Sequence, residues 1–345
     1  MRKPCRDVRV CMPVGILRIA MITVLLLGII YLSFISLGLP DSILGVAIPA
    51  IHLQWGVPIS SFGIVSMIVT LGTVTSSLTS AFFIEKIGTG KIVYISCLMT
   101  GTALLGISFL PSFYWMILLV LPLGLGAGAV DAALNNYVAL HFRAHHMNWL
   151  HSFWGVGATL GPLIMGTMIM NRDWQSGYRI IGFIQLGLSL LILGSLPLWN
   201  RHKPEITKQT PHTSGSAAKD QAFRIPGVKS ALAVMFLYCA AEVGVGLWGS
   251  SFLTLERDYS IDSAAFWMSM YYGGITIGRF ISGFISFRLT NTQMIRSGVI
   301  LSFIGSILLI MPLSPVLTGI FLVLIGLGFA PIFPAMLHET PIRFG

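Results

Sequence analysis

Leu37-Gly-Leu-Pro-Asp41-Ser-Ile-Leu-Gly45-Val-Ala-Ile-Pro-Ala-Ile51 is the stretch whose reading decides the fold. It continues an apolar run that begins near Ile19, so Asp41 sits inside a segment otherwise fit to cross a bilayer. A carboxylate at the centre of a spanning helix costs roughly 2.5–3.5 kcal/mol on insertion scales. Such groups face a water-filled cavity or a partner, which makes Asp41 a candidate functional residue. Pro40 removes one helix hydrogen bond beside it. Gly38 and Gly45, at i−3 and i+4, share the face of Asp41 and predict a surface nearly bare of side chains.

The rest of the chain agrees with a membrane setting. Hydrophobic residues make up 55% and charged residues 10%, against about 25% charged in soluble domains. The formal charge of +9 would suggest nucleic acid in a soluble protein, but its distribution points to the lipid bilayer instead. Cys5, Cys11, Cys97 and Cys239 form no C-x-x-C pair or metal-ligand spacing and read as isolated thiols. The basic start from Arg2 to Arg18 resembles a signal peptide. The apolar run after it is too long for one and no small-residue cleavage site closes it, so it reads as a retained first helix.

A spanning helix needs about 20 apolar residues. That measure predicts an all-α polytopic protein with ten spans, at about 20–48, 59–84, 92–110, 114–138, 151–170, 179–199, 228–251, 264–287, 294–312 and 315–338. With a cytoplasmic N-terminus, 17 of the 21 Lys+Arg fall on the cytoplasmic side, as the positive-inside rule requires. Trp55, Trp115, Trp149, Trp174 and Trp199 lie at predicted helix ends, where amphipathic rings meet the headgroups.

Four parts follow: a cytoplasmic N-terminal segment (1–19), a six-helix bundle (20–199), a cytoplasmic linker (200–227) and a four-helix C-terminal bundle (228–345). The linker carries Arg201, Lys203, Lys208, Lys219 and Arg224 among Pro, Ser, Thr and Gly. The two bundles resemble each other. A shift of 202 residues places Ile59 on Ile261, Ser61 on Ser263, Gly72 on Gly274 and Ser80 on Ser282. It also places Gly124-Leu125-Gly126 on Gly326-Leu327-Gly328 and Ala133 on Ala335. A shift of 201 pairs Asp41 with Glu242 and Gly45 with Gly246. Parallel repeats of six helices put a solute site at the repeat interface. Counterparts of the helices at 151–170 and 179–199 are lacking from the second repeat, so a truncated twelve-helix chain is expected.

These residues resemble the major facilitator superfamily. The hairpin Ala81-Phe-Phe-Ile-Glu85-Lys86-Ile-Gly88-Thr-Gly90-Lys91 is similar to that family's G-x-x-x-D-R/K-x-G-x-R/K-R/K signature, with Ala81 for its Gly and Glu85 for its Asp. Within the hairpin, Glu85, Lys86, Gly88 and Lys91 are the gating-motif candidates the resemblance implies. Three stretches narrow the likeness to the fucose–galactose–gluconate proton symporter branch. They are Gly38-Leu-Pro-Asp41 with Gly45, Gly124-Leu-Gly-Ala-Gly128-Ala-Val-Asp131 with Asn135 and Asn136, and Gly326-Leu-Gly-Phe-Ala-Pro331-Ile-Phe-Pro334. By that resemblance Asp41 and Asp131 would take part in proton coupling and substrate binding. One departure is Ser152-Phe153-Trp154-Gly155, where the fucose-permease pattern has Asn after Ser-Phe.

Asp41, Asp131 and Glu242 are the three acidic residues well inside predicted helices. Asp131 and Asn135 share a face at i and i+4 and could present a carboxylate and an amide to a hydroxylated solute. Burial penalises only the charged form of a carboxylate, so protonation removes the cost of closing a cavity over it. Arg279 must face the interior, as an ion pair or a substrate contact. His338 falls on the repeat partner of Asn136 and could line the cavity; Trp154 and Trp248 could stack on a sugar. Gly124-x-Gly126 lies mid-membrane with no preceding strand and reads as a small-residue packing stripe rather than a dinucleotide fingerprint. His141-Phe-Arg-Ala-His145-His146 offers too few ligands for a metal centre.

The expectation is a monomeric, multi-pass cell-membrane transporter rather than an enzyme. It would import a sugar or related polar solute with protons, with no cofactor, metal or nucleic acid. The rivals are a drug or metabolite exporter of the same fold, an inactive remnant and a lipid-acting membrane enzyme.

Overall fold

In the computed structural model, residues 14–142, 144–171, 173–201, 224–286 and 288–344 are described. The first thirteen residues and linker residues 202–223 lie outside them. The first bundle holds α1 (Val14–Trp55), α2 (Ser61–Ile87), α3 (Thr89–Ile107), α4 (Phe113–His141), α5 (Ala144–Met170) and α6 (Trp174–Arg201). The second holds α7 (Val228–Glu256), α8 (Ile261–Ile285), α9 (Asn291–Ile310), α10 (Pro315–Phe329) and α11 (Ile332–Phe344). No strand occurs among the described residues.

Among the described residues, nine segments are long and apolar enough to cross a membrane. The tenth crossing is α8, whose Asp262, Arg279 and paired tyrosines dilute its hydropathy. Its 25 residues still reach about 37 Å at 1.5 Å per residue, beyond a hydrocarbon core of about 30 Å. The expected ten spans are therefore present, with many of their ends shifted by a few residues and three differences that matter for the site. The helix expected at 20–48 extends to Trp55, passing through Pro40 and Pro49, and stops where Gly56 adopts φ +63°. The span expected at 315–338 is broken at Ala330-Pro331 into α10 and α11. The sixth helix begins at Trp174, not 179, because Asp173 caps it. Its carboxylate accepts from the Ser176 amide at 3.0 Å and from the Ser176 hydroxyl. The hydroxyl bond above all, with lesser help from the amide bond and nearby Arg179, holds the Asp173 carboxyl below its usual range against the opposing effect of burial.

The repeat read in the sequence recurs in the packing. In the first bundle α4 lies against α2 and α3; in the second, α10 lies against α8 and α9. The contacts match residue for residue under the same 202-residue shift. A Cβ on Gly124 would strike the Val69 carbonyl, and one on Gly326 the Tyr271 carbonyl. A Cβ on Gly126 would meet Ser96 and Thr100, and one on Gly328 would meet Gly298 and Ser302. Small residues let these backbones touch, which is how helices associate where lipid offers no hydrophobic drive.

The bundles meet through α5 against α8 and α1 against α7. One apolar cluster joins both bundles around Ile43, Phe62, Tyr178, Leu253, Met268 and Ile325. It lies toward the face that carries the α1–α2, α3–α4, α5–α6 and α7–α8 turns. A second cluster, around Leu26, Ile30, Val93, Leu134 and Ile192, belongs to the first bundle alone and lies toward the opposite face.

Candidate functional site

Asp41 sits where α1 touches two other helices. A Cβ on Gly38 would run into the Trp154 carbonyl and the Ala158 amide of α5; one on Gly45 would run into the Gly246 carbonyl of α7. The face expected to be bare is therefore filled by neighbouring backbone, which brings α5 and α7 to within side-chain reach of Asp41. Pro40 and Ser42 are buried, yet Asp41 is exposed. What it is exposed to is an internal cavity of about 240 Å³.

Both bundles build that cavity. The first supplies Asp41 from α1, Ser66 and Thr70 from α2, Val120 from α4, Trp154 from α5 and Tyr178 from α6. The second supplies Glu242 and Gly246 from α7 and Tyr272 from α8. Asp41 and Glu242, the residues paired by the 201-residue shift, thus line one space from opposite bundles.

A line of polar contacts joins them. The Trp154 indole N–H donates to Asp41 Oδ2 at 2.9 Å. The Arg279 guanidinium lies over the Trp154 ring, 5.0 Å from its centroid. Arg279 Nη2 pairs with Glu242 Oε1 at 3.5 Å, the two side chains being 9% and 13% exposed. Tyr238 donates its hydroxyl to Glu242, and Tyr271 donates to the Glu242 backbone carbonyl at 3.1 Å. Arg279 also reaches the His151 carbonyl at 3.4 Å, while its Nε has no partner. Charge of both signs is thereby held at the bundle interface, with an indole between the cation and the Asp41 carboxylate.

The other sequence-derived candidates are placed differently. Asp131 is near enough to Asp41 for their charges to interact, and it accepts from Asn135 Nδ2 at 3.0 Å. The Oδ1 of Asn135 is buried without a partner. Asn136 is exposed on α4 and is not among the residues that line the cavity. His338 does not line the cavity; it is exposed on α11, 3.1 Å from the Asn291 amide. Glu85, Lys86 and Lys91 are exposed around the α2–α3 turn, where Gly88 has φ +86° and Lys86 Nζ lies 5.1 Å from the Phe82 ring centroid. Tyr178, Tyr238 and Tyr272 belong to the site and were not singled out in the sequence. Their signal was faint, a tyrosine on an apolar helix having many reasons to be there.

Two half-bundles related by a repeat, closing on a charged internal cavity, define a polytopic solute-carrier architecture. The Major Facilitator Superfamily family model matches residues 30–339, and the chain belongs to that family. By this kinship it is not an enzyme. It is 23% identical over 270 residues to a cis,cis-muconate transport protein of Acinetobacter baylyi, covering 75% of this chain and 65% of that one. It is 25% identical over 284 residues to the glucose/mannose transporter GlcP of Bacillus subtilis, covering 79% and 68%. A gallate transporter of Pseudomonas putida is 23% identical over 303 residues, covering 79% and 67%. The chain thus spans about two thirds of the length of these relatives. Among solved structures, a bacterial homologue of the lysosomal transporter Spinster, inward-facing and unoccupied, superposes with TM-score 0.70 at 15% identity, covering 93% of this chain and 75% of that one. A D-xylose–proton symporter gives 0.65 at 12% identity, covering 89% and 80%. At these identities the superpositions speak for the fold alone.

Proposed function

We propose that the protein is a proton-coupled secondary transporter that imports a small polar solute, a sugar or a related hydroxylated compound, by alternating access. The observation that carries this reading is the shared cavity. Asp41 and Glu242 reach it from opposite bundles and are linked through Trp154 and Arg279. Rocking one bundle against the other would expose this space to one side of the membrane and then the other. A bare carboxylate resists being closed into an oily space, whereas its neutral acid does not. Protonation of Asp41, with Asp131 as a second acid nearby, would therefore license the step. Relatives named for glucose/mannose, muconate and gallate support a small solute bearing oxygen functions. So does the cavity size, about 240 Å³, below the roughly 300–1,000 Å³ usual for drug-sized ligands.

The basic residues favour a cytoplasmic N-terminus in a cell membrane, and a monomer suffices because one chain supplies both sides of the cavity. An exporter of the same fold is the second reading; the many apolar side chains in the cavity wall, such as Leu44, Val69, Met116 and Leu123, favour it. The test is a panel of sugars, polyols and organic acids added to proteoliposomes with a pH reporter. Import with protons predicts external alkalinisation on adding a substrate. Solute movement with no proton flux for every active compound would defeat the coupling.

A further inference from the structure

The cavity has an end that the line from Asp41 to Glu242 does not use. There α3, α4 and α6 form a wall of Ile107, Met116, Val120, Leu123 and Tyr178. Four of these five are purely apolar. Tyr178 is 2% exposed, and its ring is held edge-on to Trp174 at 5.7 Å. Its hydroxyl is buried with no hydrogen-bond partner. Leaving such a group unpaired forfeits its hydration without a return. Three other phenols of the same apolar cluster are used: Tyr238 donates to Glu242, Tyr271 to the Glu242 carbonyl and Tyr259 to the Pro315 carbonyl. Phenylalanine at position 178 would complete the wall without that cost, so the hydroxyl calls for a partner that enters the cavity.

We propose that the Tyr178 hydroxyl and the apolar wall beside it form a specificity subsite for the body of the transported solute. The inference rests on the transport reading and narrows its substrate. The solute is compact and two-ended. Hydroxyl donors at one end meet the Asp41 and Glu242 carboxylates, an apolar ring or chain lies along Val120 and Leu123, and one polar atom at the far end pairs with Tyr178. The wall sets affinity and the phenol sets discrimination. A site built to hydrogen-bond a group rejects an analogue lacking it far more sharply than one lacking a methylene.

The probes are 4-hydroxybenzyl alcohol, which carries an alcohol, a ring and a phenol in line, and benzyl alcohol, which lacks the phenol. Each is titrated into the purified full chain in detergent micelles, with tryptophan fluorescence and the shift in unfolding temperature as readouts. The wild type should bind the first roughly tenfold more tightly, a difference of about 1.4 kcal/mol. In Tyr178→Phe, a variant that removes only an unpaired hydroxyl, the two should bind within about twofold of each other. Leu123→Ala, which thins the wall, should weaken both compounds together. Equal binding in the wild type, a preference that survives Tyr178→Phe, no effect of Leu123→Ala, or binding of neither compound would each overturn the subsite. Proton-driven uptake of the solute panel is scored apart. Uptake without the preference removes the subsite alone; the preference without proton-driven uptake removes the coupling alone.

Discussion

Removing the Glu242 side chain should strand a cation inside the molecule. Arg279 is 9% exposed, and its Nε is already unpartnered. In Glu242→Ala its remaining contacts would include the Trp154 ring, a 3.4 Å approach to the His151 carbonyl and the nearby Tyr238 hydroxyl. Breaking a buried ion pair from one side costs about 3–5 kcal/mol, because the surviving charge is uncompensated. The ring contact returns roughly 0.5–2 kcal/mol of that. The pair is also long at 3.5 Å and opens on one side to the cavity. A net loss of about 2–3 kcal/mol is therefore expected for Glu242→Ala, and a similar loss for Arg279→Leu. The double variant removes both charges of the pair and strands neither, so it should lose only about 1–2 kcal/mol, less than the two single losses added together. Denaturant unfolding of the four proteins in mild detergent micelles gives the coupling energy directly. Losses that add to within about 0.5 kcal/mol would show the two side chains to be energetically independent, and the reasoning from their geometry would be refuted.

Gly45→Leu should destabilise by about 1–3 kcal/mol, since the new side chain would run into the Gly246 carbonyl and the Leu247 backbone. Gly28→Ala on the same helix, where nothing lies within 4 Å of the added Cβ, should be neutral or stabilising by up to about 1 kcal/mol; thermal unfolding in detergent separates them. Gly88→Ala forces a side chain into φ +86° and should cost about 1–2 kcal/mol in the same assay. Asp173→Ala should cost about 1 kcal/mol at neutral pH through the lost α6 cap. Because the folded carboxyl titrates below its unfolded value, that difference should be full above about pH 4 and vanish as pH falls through the folded pKa. A pH series of unfolding midpoints for the wild type and the variant measures it.

Much of the fold was legible because a bilayer imposes simple lengths. Apolar runs gave ten spans, and the 202-residue shift anticipated contacts as specific as Gly124 on Val69 and Gly326 on Tyr271. Ends were harder. The Ala330-Pro331 break hides within an unbroken apolar run, and Trp174 to Tyr178 looks too polar to be helix until Asp173 is seen to cap it. The buried carboxylates stood out as charges in oily helices. Their link through Trp154 and Arg279 could not be read, because it joins residues 113 and 37 positions apart and depends on how closely glycine lets backbones approach. Tyr178 lay one residue outside the expected sixth helix, so its place in the cavity wall went unseen. His338 was linked to the cavity by repeat arithmetic, but the chain bends at Pro331 before reaching it, and the side chain ends beside Asn291.

The central claim is that an acid in this cavity ties solute movement to a proton. It is tested most directly with Asp41→Asn and wild-type protein reconstituted at equal density, measuring external pH when a solute active in the wild type is added. The account predicts alkalinisation with the wild type, and none with Asp41→Asn, although solute exchange across the membrane at equal pH persists. Undiminished proton uptake in Asp41→Asn would contradict it.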